Sequence, residues 1–448
     1  DNKIFLKSAF TLALPIALQN LLSSSLNTID TIMVGRLGEV EVASVGLANQ
    51  VFFILVIILF GICSGSSIFV SQFWGKRDVE NIRMVFLLNV VIALIPAIII
   101  GLFAFFAPSM VMRIFSDDPR VILEGGKYLK IVSLSYIPTA INFSIGAVVR
   151  SIERPKLPLV MAAISLVVNS TLNYILIFGK LGVPALGIEG AALATLISRL
   201  IELVIYIYAI YTRFKFIAVR IKDILNVPIL FLKRFIKTTT PVIFNEMLWG
   251  IGVSLFFIVY SRMGTGVVAA VNIAKVLENL LNAFFFGMGY ASAVLIGKKI
   301  GEHKESEAMQ YAKKFTYMTP VFTVPITIII IVFAPIFLKL YNVPEIVRND
   351  AFFILVIRAL FLQIRNMNLV HIVGSLRSGG VTRVCLLLDV AGVWLVSLPL
   401  LVIFGLWLKY DIRIVFTLAL LEELLKVSFV LWRVNSGKWV NNLVHDIK

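Results

Sequence analysis

Hydrophobic residues recur along the whole chain in long runs, separated by short segments that carry glycine, proline or charge. Runs of about 20 residues predict membrane-crossing helices, because that length of helix covers the hydrocarbon core of a bilayer. The strands of a membrane barrel would instead be about 10 residues long and would alternate in polarity. The pattern therefore predicts an all-α polytopic membrane protein.

Breaker residues and hydropathy divide the chain into two sets of six predicted spans. The first six lie near 10–34, 43–73, 84–107, 127–149, 157–178 and 187–210. The second six lie near 236–260, 267–298, 314–338, 350–375, 382–405 and 411–432. Twelve spans divide the chain into an N-lobe at 1–210, a basic cytoplasmic linker at 211–235 and a C-lobe at 236–448.

Composition supports this assignment and gives the net positive charge of the chain a different explanation. Hydrophobic residues make up 59% of the chain and charged residues 15%, too few charges for the surface of a soluble protein of this length. A net charge of +16 would suggest a nucleic-acid partner in a soluble protein. Here Lys and Arg concentrate in alternate loops, so the positive-inside rule places both termini in the cytoplasm. We expect a lipid bilayer as partner and no nucleic acid.

The two halves repeat one another. Pro15 and Pro241 are 226 residues apart, and so are Gly75 and Gly301. The segment at 146–151, GAVVRS, is echoed at 374–379 by GSLRSG. An even number of helices in each half gives both copies the same orientation, which predicts two six-helix lobes related by a pseudo-two-fold axis along the membrane normal, with a cavity between them. At the offset of 226, Asp30 aligns with Phe256 and Glu246 aligns with Asn20.

Polar residues inside spans are informative, because each one is costly to insert. The first span places Gln19, Asn27 and Asp30 on one helical face. A carboxylate at mid-membrane depth costs about 2.5–3.5 kcal/mol, so Asp30 is expected to face protein or water and to have a functional role.

The fifth and sixth spans add further oxygen ligands to this list: Asn169, Asn173 and Thr195. Carboxylate and amide oxygens suit a small hard cation such as Na⁺, and a carboxylate can alternatively take a proton. For each asparagine, a hydrogen bond to a neighbouring helix is as good an explanation as a functional role.

The second half carries its own polar residues inside spans: Asn245, Glu246, Lys275, Glu278, Arg358, Arg365 and Asp389. Lys275 and Glu278 are three residues apart, which favours a structural pair. Glu246 and Asp389 have no partner near in sequence, so they are the better functional candidates, and Arg358 or Arg365 is a possible counter-charge for them.

Two further groups in this half are interpreted structurally. Glu422, Glu423 and Lys426 in the last span lie near a predicted boundary, where they are expected to extend towards the membrane surface. His371 is a lone histidine and is interpreted as a packed polar residue.

The sequence contains no pattern of an enzyme or of a nucleotide-driven pump. There is no P-loop, no HExxH and no soluble domain that could hold ATP. The two cysteines lie in separate spans, which argues against a disulfide or a thiol metal site. Any energy for transport is therefore expected to come from an ion gradient, without a cofactor.

An ordered set of local patterns resembles the multidrug and toxic-compound extrusion (MATE) family over essentially the whole length. The set comprises DTIMVGRLG at 30–38, VSQFWGKRD at 70–78, GIEGAALAT at 187–195, ASAVLIGKKIGEHK at 291–304 and GSLRSGG at 374–380. The resemblance implies antiport of organic cations against Na⁺ or H⁺ by rocking of two lobes.

The same resemblance implies a cation site in the N-lobe at Asp30, Asn169, Asn173 and Thr195. Many relatives have aspartate where this chain has Asn173, which removes a second titrating group. Another branch of the family uses a glutamate in the seventh span, a role that would fall on Glu246, with Asp389 as acidic help.

The leading hypothesis is a monomeric antiporter of the cytoplasmic membrane that exports amphipathic organic cations in exchange for Na⁺ or H⁺. Asn27, Gln19, Asn245, Lys275, Glu278 and Arg358 are candidates for polar residues of its cavity. The alternative is a lipid-linked oligosaccharide flippase, which would need a strongly cationic cavity. A membrane-embedded enzyme and an ion channel are further classes, but the three histidines do not form the cluster that an enzyme requires.

Overall fold

The structure, a computed structural model, describes residues 2–220 and 227–447, with side chains for all of these except 276–281. The described chain is helical. The first six long helices are α1 Asn2–Gly35, α2 Glu39–Lys76, α3 Val79–Phe106, α4 Pro119–Ser151, α5 Lys156–Phe178 and α6 Gly187–Thr212. The next five are α7 Ile229–Met263, α8 Thr265–Gly301, α9 Glu305–Leu338, α10 Glu345–Leu376 and α11 Thr382–Trp407. The last, α12, consists of Ile412–Ala419 and Leu421–Asn435.

These helices confirm the predicted fold class, an all-α polytopic membrane protein with twelve membrane helices. Eleven of them contain described segments that are long and apolar enough to cross a membrane. The twelfth, α12, is interrupted at Leu420 and carries Glu422, Glu423 and Lys426 in its second part. Those charges lower its hydropathy, although its length matches that of the other spans.

Two compact units make up the fold. The N-terminal unit contains Leu18–Ile236, and the C-terminal unit contains Asp1–Ala17 with Lys237–Lys448. Within the first, α2 packs against α3 and α4, and α5 packs against α6. Within the second, α8 packs against α9 and α10, and α11 packs against α12. The helix order of one half is thus repeated in the other, as the sequence repeat predicts.

Each unit boundary falls inside a long helix that carries a proline. Pro15 lies in α1 close to the boundary at Ala17, and Pro241 lies in α7 close to the boundary at Ile236. Proline removes one backbone hydrogen bond and disfavours the preceding helical turn, so these are the positions where each helix bends most easily.

Aromatic contacts hold the first part of α1 in the C-terminal unit. The Phe5 side chain is buried, and its ring centroid lies 5.0 Å from that of Tyr311 and 5.1 Å from that of Phe315, in edge-to-face arrangements. In the N-terminal unit, Phe231 and Phe235 at the start of α7 each lie 5.5 Å from Phe69. Such pairs contribute beyond simple burial of area.

The C-terminal tail covers the end of α10 through Trp439, which is fully buried. Gly379 packs against the Trp439 carbonyl so closely that a Cβ atom at position 379 would collide with it. The Asn441 side chain donates a hydrogen bond to the Gly379 carbonyl at 2.9 Å, and the Asn442 side chain donates to the Ile300 carbonyl at 2.9 Å. The tail therefore satisfies carbonyls that the ends of two helices leave open.

Trp439→Ala is expected to lower the free energy of unfolding by about 3–5 kcal/mol, since it empties a fully buried site. Trp432→Ala is the matched control, because Trp432 is 66% exposed and its loss empties no packed site. Thermal unfolding of the purified protein in detergent measures both variants. Equal melting temperatures for the two variants would contradict a structural role of the tail.

Candidate functional site

The residues predicted to form a cation site in the N-lobe lie together in the N-terminal unit. Asn173 Nδ2 donates to Asp30 Oδ1 at 2.5 Å and to Asn169 Oδ1 at 2.9 Å. Asn169 Nδ2 lies 3.4 Å from Thr195 Oγ1, and that hydroxyl donates to the Ala191 carbonyl at 3.1 Å. A continuous hydrogen-bonded chain thus joins α1, α5 and α6.

Close packing of α5 and α6 brings these side chains together. A Cβ atom on Gly190, in the first turn of α6, would lie 2.6 Å from the Leu176 carbonyl of α5. Only glycine allows the two backbones to approach so closely. Asn169 and Asn173 are one turn apart on α5, so they present both amides on one face of that helix.

The two asparagines of the site are buried, and one of their oxygens lacks a hydrogen-bond partner in the described part of the chain. Asn169 and Asn173 are 2% and 1% exposed, and Asp30 is partly buried. Asn173 Oδ1 is buried and has no hydrogen-bond partner among the residues that the structure describes. A buried carbonyl without a partner costs about 1–3 kcal/mol, so it favours a water, a proton donor or a cation beside it.

One basic residue of the N-terminal unit acts on this site from a distance. The Arg199 guanidinium is within electrostatic range of Asp30. Its Nη1 atom, however, lies 2.8 Å from Glu202 Oε2 and forms an ion pair there. The direct partner of the Asp30 carboxylate within the described part of the chain is therefore an amide and not a cation.

In the C-terminal unit, Glu246 has a cationic partner that sequence analysis did not select. Arg377 Nη2 lies 2.6 Å from Glu246 Oε1, and the Arg377 side chain is only 2% exposed. Arg358 and Arg365 were the counter-charges considered from sequence. The signal that could have found Arg377 is the repeat, because Arg377 and Ser378 lie 227 residues after Arg150 and Ser151, close to the 226-residue offset of the two halves.

The same contact occurs once in each unit. Arg150 Nη1 donates to Gln19 Oε1 at 3.3 Å, and both pairs join residues that are 131 positions apart in sequence. Gln19 is therefore the structural counterpart of Glu246, which corrects the alignment of Glu246 with Asn20 by one residue. The helix scaffold is duplicated, but the acceptor differs. The arginine contacts a neutral amide in the N-terminal unit and a carboxylate in the C-terminal unit.

Asp389 belongs to a second cluster of the C-terminal unit, with its centre at Lys426. Lys426 Nζ lies 3.5 Å from Asp389 Oδ1, 3.7 Å from Glu422 Oε1 and 3.6 Å from Glu423 Oε1. Asn245 Nδ2 donates to Asp389 Oδ2 at 3.1 Å.

This cluster overturns one sequence prediction. Glu422, Glu423 and Lys426 were expected to extend to the membrane surface, but they are 7%, 9% and 6% exposed. They are buried because α12 packs against α10 and α11, and because the charges neutralise one another there. The prediction placed these residues at the end of a span, but they lie in the middle of α12.

The remaining candidates lie elsewhere. Asn27 is exposed, and Lys275 is exposed on α8. The Glu278 side chain lies outside the described residues, so its predicted pairing with Lys275 stays a prediction. The Arg358 guanidinium stacks over the Phe416 ring at 4.9 Å from the centroid. His371 is fully buried and contacts Thr316 and Ser375 at 2.9 and 3.0 Å, in agreement with a packed polar residue.

Comparison with known proteins identifies the family. The family model described as MatE matches residues 15–175 and again residues 241–403. The two matches begin at Pro15 and Pro241, so the internal repeat is confirmed. The chain belongs to the MatE family.

Individual relatives agree over nearly the whole length. The probable multidrug resistance protein NorM of Thermotoga maritima is 24% identical and covers 98% of this chain and 94% of its own length. The uncharacterised transporter YisQ of Bacillus subtilis is 21% identical over 97% of this chain and 95% of its own length. A crystal structure of MATE in complex with MaL6 shares the fold, with a TM-score of 0.87 at 18% identity, and 96% and 97% of the two chains are covered. The chain is a multi-pass membrane protein of a transporter family, and no catalytic family is indicated.

The two MatE halves give a direct comparison of a charged and a neutral contact. Arg377→Met is expected to lower the free energy of unfolding by about 3–5 kcal/mol, since the Glu246 carboxylate, whose side chain is 13% exposed, is left without its counter-charge. Arg150→Met removes the contact with the neutral Gln19 amide and is expected to cost about 1–3 kcal/mol. Denaturant titration of the purified variants measures both losses.

A double variant tests whether the charge is responsible. Glu246→Gln combined with Arg377→Met removes both charges and is expected to recover most of the loss caused by Arg377→Met alone. Equal losses for Arg150→Met and Arg377→Met, without recovery in the double variant, would show that the two arginines act through packing only.

Proposed function

We propose that this MatE-family chain is a secondary active antiporter that exports amphipathic organic cations in exchange for Na⁺ or H⁺. The observation that supports this best is the partner of Asp30. Asp30 is a carboxylate in a membrane helix, and its direct partner in the described part of the chain is the Asn173 amide. A carboxylate in that situation gains most from an added cation or proton.

The donor set around Asp30 fits a small hard cation. The oxygens of Asp30, Asn169, Asn173 and Thr195 are the ligand type that such ions prefer. Asn173 Oδ1 is a buried acceptor without a partner among the described residues, so an added cation would satisfy it. Asn173 carries no charge, which leaves Asp30 as the titrating group of this set.

The same set also fits a proton. Protonated Asp30 becomes a hydrogen-bond donor, and the Asn173 amide offers an acceptor oxygen as well as the donor nitrogen that now contacts Asp30. A rotation of that amide exchanges the two roles. The residues therefore support either coupling ion.

Antiport requires that the ion change the balance between two conformations. An ion does so only if it binds one conformation more tightly than the other. The hydrogen-bonded chain from α1 through α5 to α6 provides a physical link, since loading Asp30 changes the contact that holds α1 against α5. Pro15 lies in the same helix and lowers the cost of bending it.

The proposed substrate class follows from the family and from the charges. The NorM relative is named a probable multidrug resistance protein. The competing proposal, a flippase for lipid-linked oligosaccharides, would need free basic groups in a cavity. Arg199, Arg377 and Lys426 are instead engaged with carboxylates. Of the two arginines that line a cavity, Arg358 stacks over Phe416 and Arg365 is within electrostatic range of Glu423, which supports organic cations as substrates. We further propose a monomer in the cytoplasmic membrane with both termini in the cytoplasm.

Asp30→Asn is expected to abolish ion-driven efflux of a cationic dye, because an amide cannot exchange a proton or neutralise a cation. The measurement is dye transport in proteoliposomes, first under an imposed Na⁺ gradient and then under a proton gradient. The matched control is Glu124→Gln, the same chemical change at a carboxylate of the N-terminal unit that pairs with Lys127 at 2.7 Å.

We expect the control variant to transport at the wild-type rate under the gradient that drives the wild type. Wild-type efflux by Asp30→Asn would remove Asp30 from the coupling site. A wild type that responds to neither gradient would contradict antiport, and transport of a fluorescent lipid would support the flippase.

A further inference from the structure

The acidic cluster around Asp389 already holds a cation of the chain itself. We propose that the Lys426 ammonium is a tethered cation that occupies this site and excludes Na⁺ or H⁺ from it. The C-terminal unit would then contribute no exchangeable ion, and the coupling ion would bind at Asp30 alone. This inference deepens the proposed function and rests on it for its meaning in transport.

The geometry is that of a cation among oxygen ligands. Lys426 Nζ lies 3.5–3.7 Å from one oxygen each of Asp389, Glu422 and Glu423, and its side chain is 7% exposed. Three carboxylates outnumber one ammonium, and two further basic groups offset part of the remaining negative charge. Arg365 is within electrostatic range of Glu423, and Arg377 is within range of Asp389.

Buried acceptors without partners surround the cluster. Glu422 Oε2 and the amide oxygens of Asn245 and Asn368 have no hydrogen-bond partner among the described residues. The Nδ2 group of each of these amides donates a hydrogen bond to a carboxylate of the cluster, Asn245 to Asp389 at 3.1 Å and Asn368 to Glu423 at 2.7 Å. The site thus presents more oxygens than one ammonium with three N–H groups can satisfy. Without Lys426, those oxygens would favour a metal cation or protons.

The local backbone is built around this cluster. Helix α12 is interrupted just before Glu422, and the Ala419 carbonyl freed there accepts a hydrogen bond from Ser397 Oγ at 2.6 Å. Ser397 ends a π-helical turn of α11, Gly392–Ser397, a type of irregularity that is frequent at functional sites. A Cβ atom on Gly392 would lie 3.0 Å from Glu422 Oε2, so the glycine leaves room for that carboxylate.

A cavity of the C-terminal unit adjoins the cluster at Glu423. Arg358, Arg365 and Glu423 line a cavity of the C-terminal unit whose other lining residues are apolar. A small ion or water that reaches this cavity would contact a carboxylate of the cluster.

The comparison between the units gives the functional consequence. Asp30 contacts an amide, whereas Glu246 contacts Arg377 and Asp389 contacts Lys426. The coupling role predicted for Glu246 and Asp389 would require both basic side chains to move away. An ammonium on a covalent tether is always present at high effective concentration, so a dilute ion competes poorly with it.

The test counts the cations that the purified protein binds at equilibrium. Radioactive Na⁺ binding and proton uptake are measured in detergent for wild type, Asp30→Asn, and Asp30→Asn combined with Lys426→Gln. We expect saturable binding in wild type, its loss in Asp30→Asn, and the return of one bound cation or proton per protein when Lys426 is also replaced. Asp30→Asn with Lys426→Arg is the matched control, and it is expected to bind neither Na⁺ nor a proton.

Two results would overturn the proposal: binding that persists in Asp30→Asn with Lys426 intact, or no gain in the folded Lys426→Gln variant. If the Lys426→Gln variant does not fold, Glu422→Gln is added to it, which removes one charge of each sign. In the Asp30→Asn background, this variant is also expected to gain one bound cation or proton. Because binding is measured without a gradient, failure of this inference is distinct from failure of antiport. Dye efflux that is absent while binding follows the expected pattern would contradict only the proposed transport function.

Discussion

A carboxylate inside a membrane helix has little water to solvate it, so its partner decides what it can do. A cationic partner compensates the cost of burial and fixes the charge in place. An amide partner only orients the carboxylate, and the charge then remains available to an added ion. This chain contains both cases: Asp30 contacts the Asn173 amide, while Glu246 contacts the Arg377 guanidinium. The distinction between them organises the chemistry of the two units.

The duplicated scaffold makes this difference visible. One arginine of each half contacts the first helix of that half. Arg150 contacts Gln19 of α1, and Arg377 contacts Glu246 of α7. Asp30 lies 15 residues after Pro15, whereas Glu246 lies 5 residues after Pro241. Because each residue of a helix adds 1.5 Å, Asp30 lies about 15 Å farther along its helix from Pro15 than Glu246 lies from Pro241. The repeat therefore conserves helix packing and not the position of charge.

Much of the fold could be predicted from sequence, because hydrophobic runs and the 226-residue repeat are strong signals. The N-lobe cluster could also be anticipated, since Asp30 is costly to insert and the two asparagines share a face of one helix. Arg377 was missed because its partner is 131 residues away and no local pattern marks the pair. The burial of Lys426 was missed because hydropathy alone places a charged turn at a boundary. Only the packing of α12 against α10 and α11 reveals that it lies inside.

The central claim is that Asp30 is the carboxylate that changes state when the coupling ion binds. Infrared difference spectroscopy on the reconstituted protein tests it directly, by comparing carboxyl bands before and after addition of Na⁺ and across a pH step. The account predicts a carboxyl band that changes in the wild type and in Glu246→Gln, and that is absent in Asp30→Asn. A band that persists in Asp30→Asn and disappears in Glu246→Gln would contradict it.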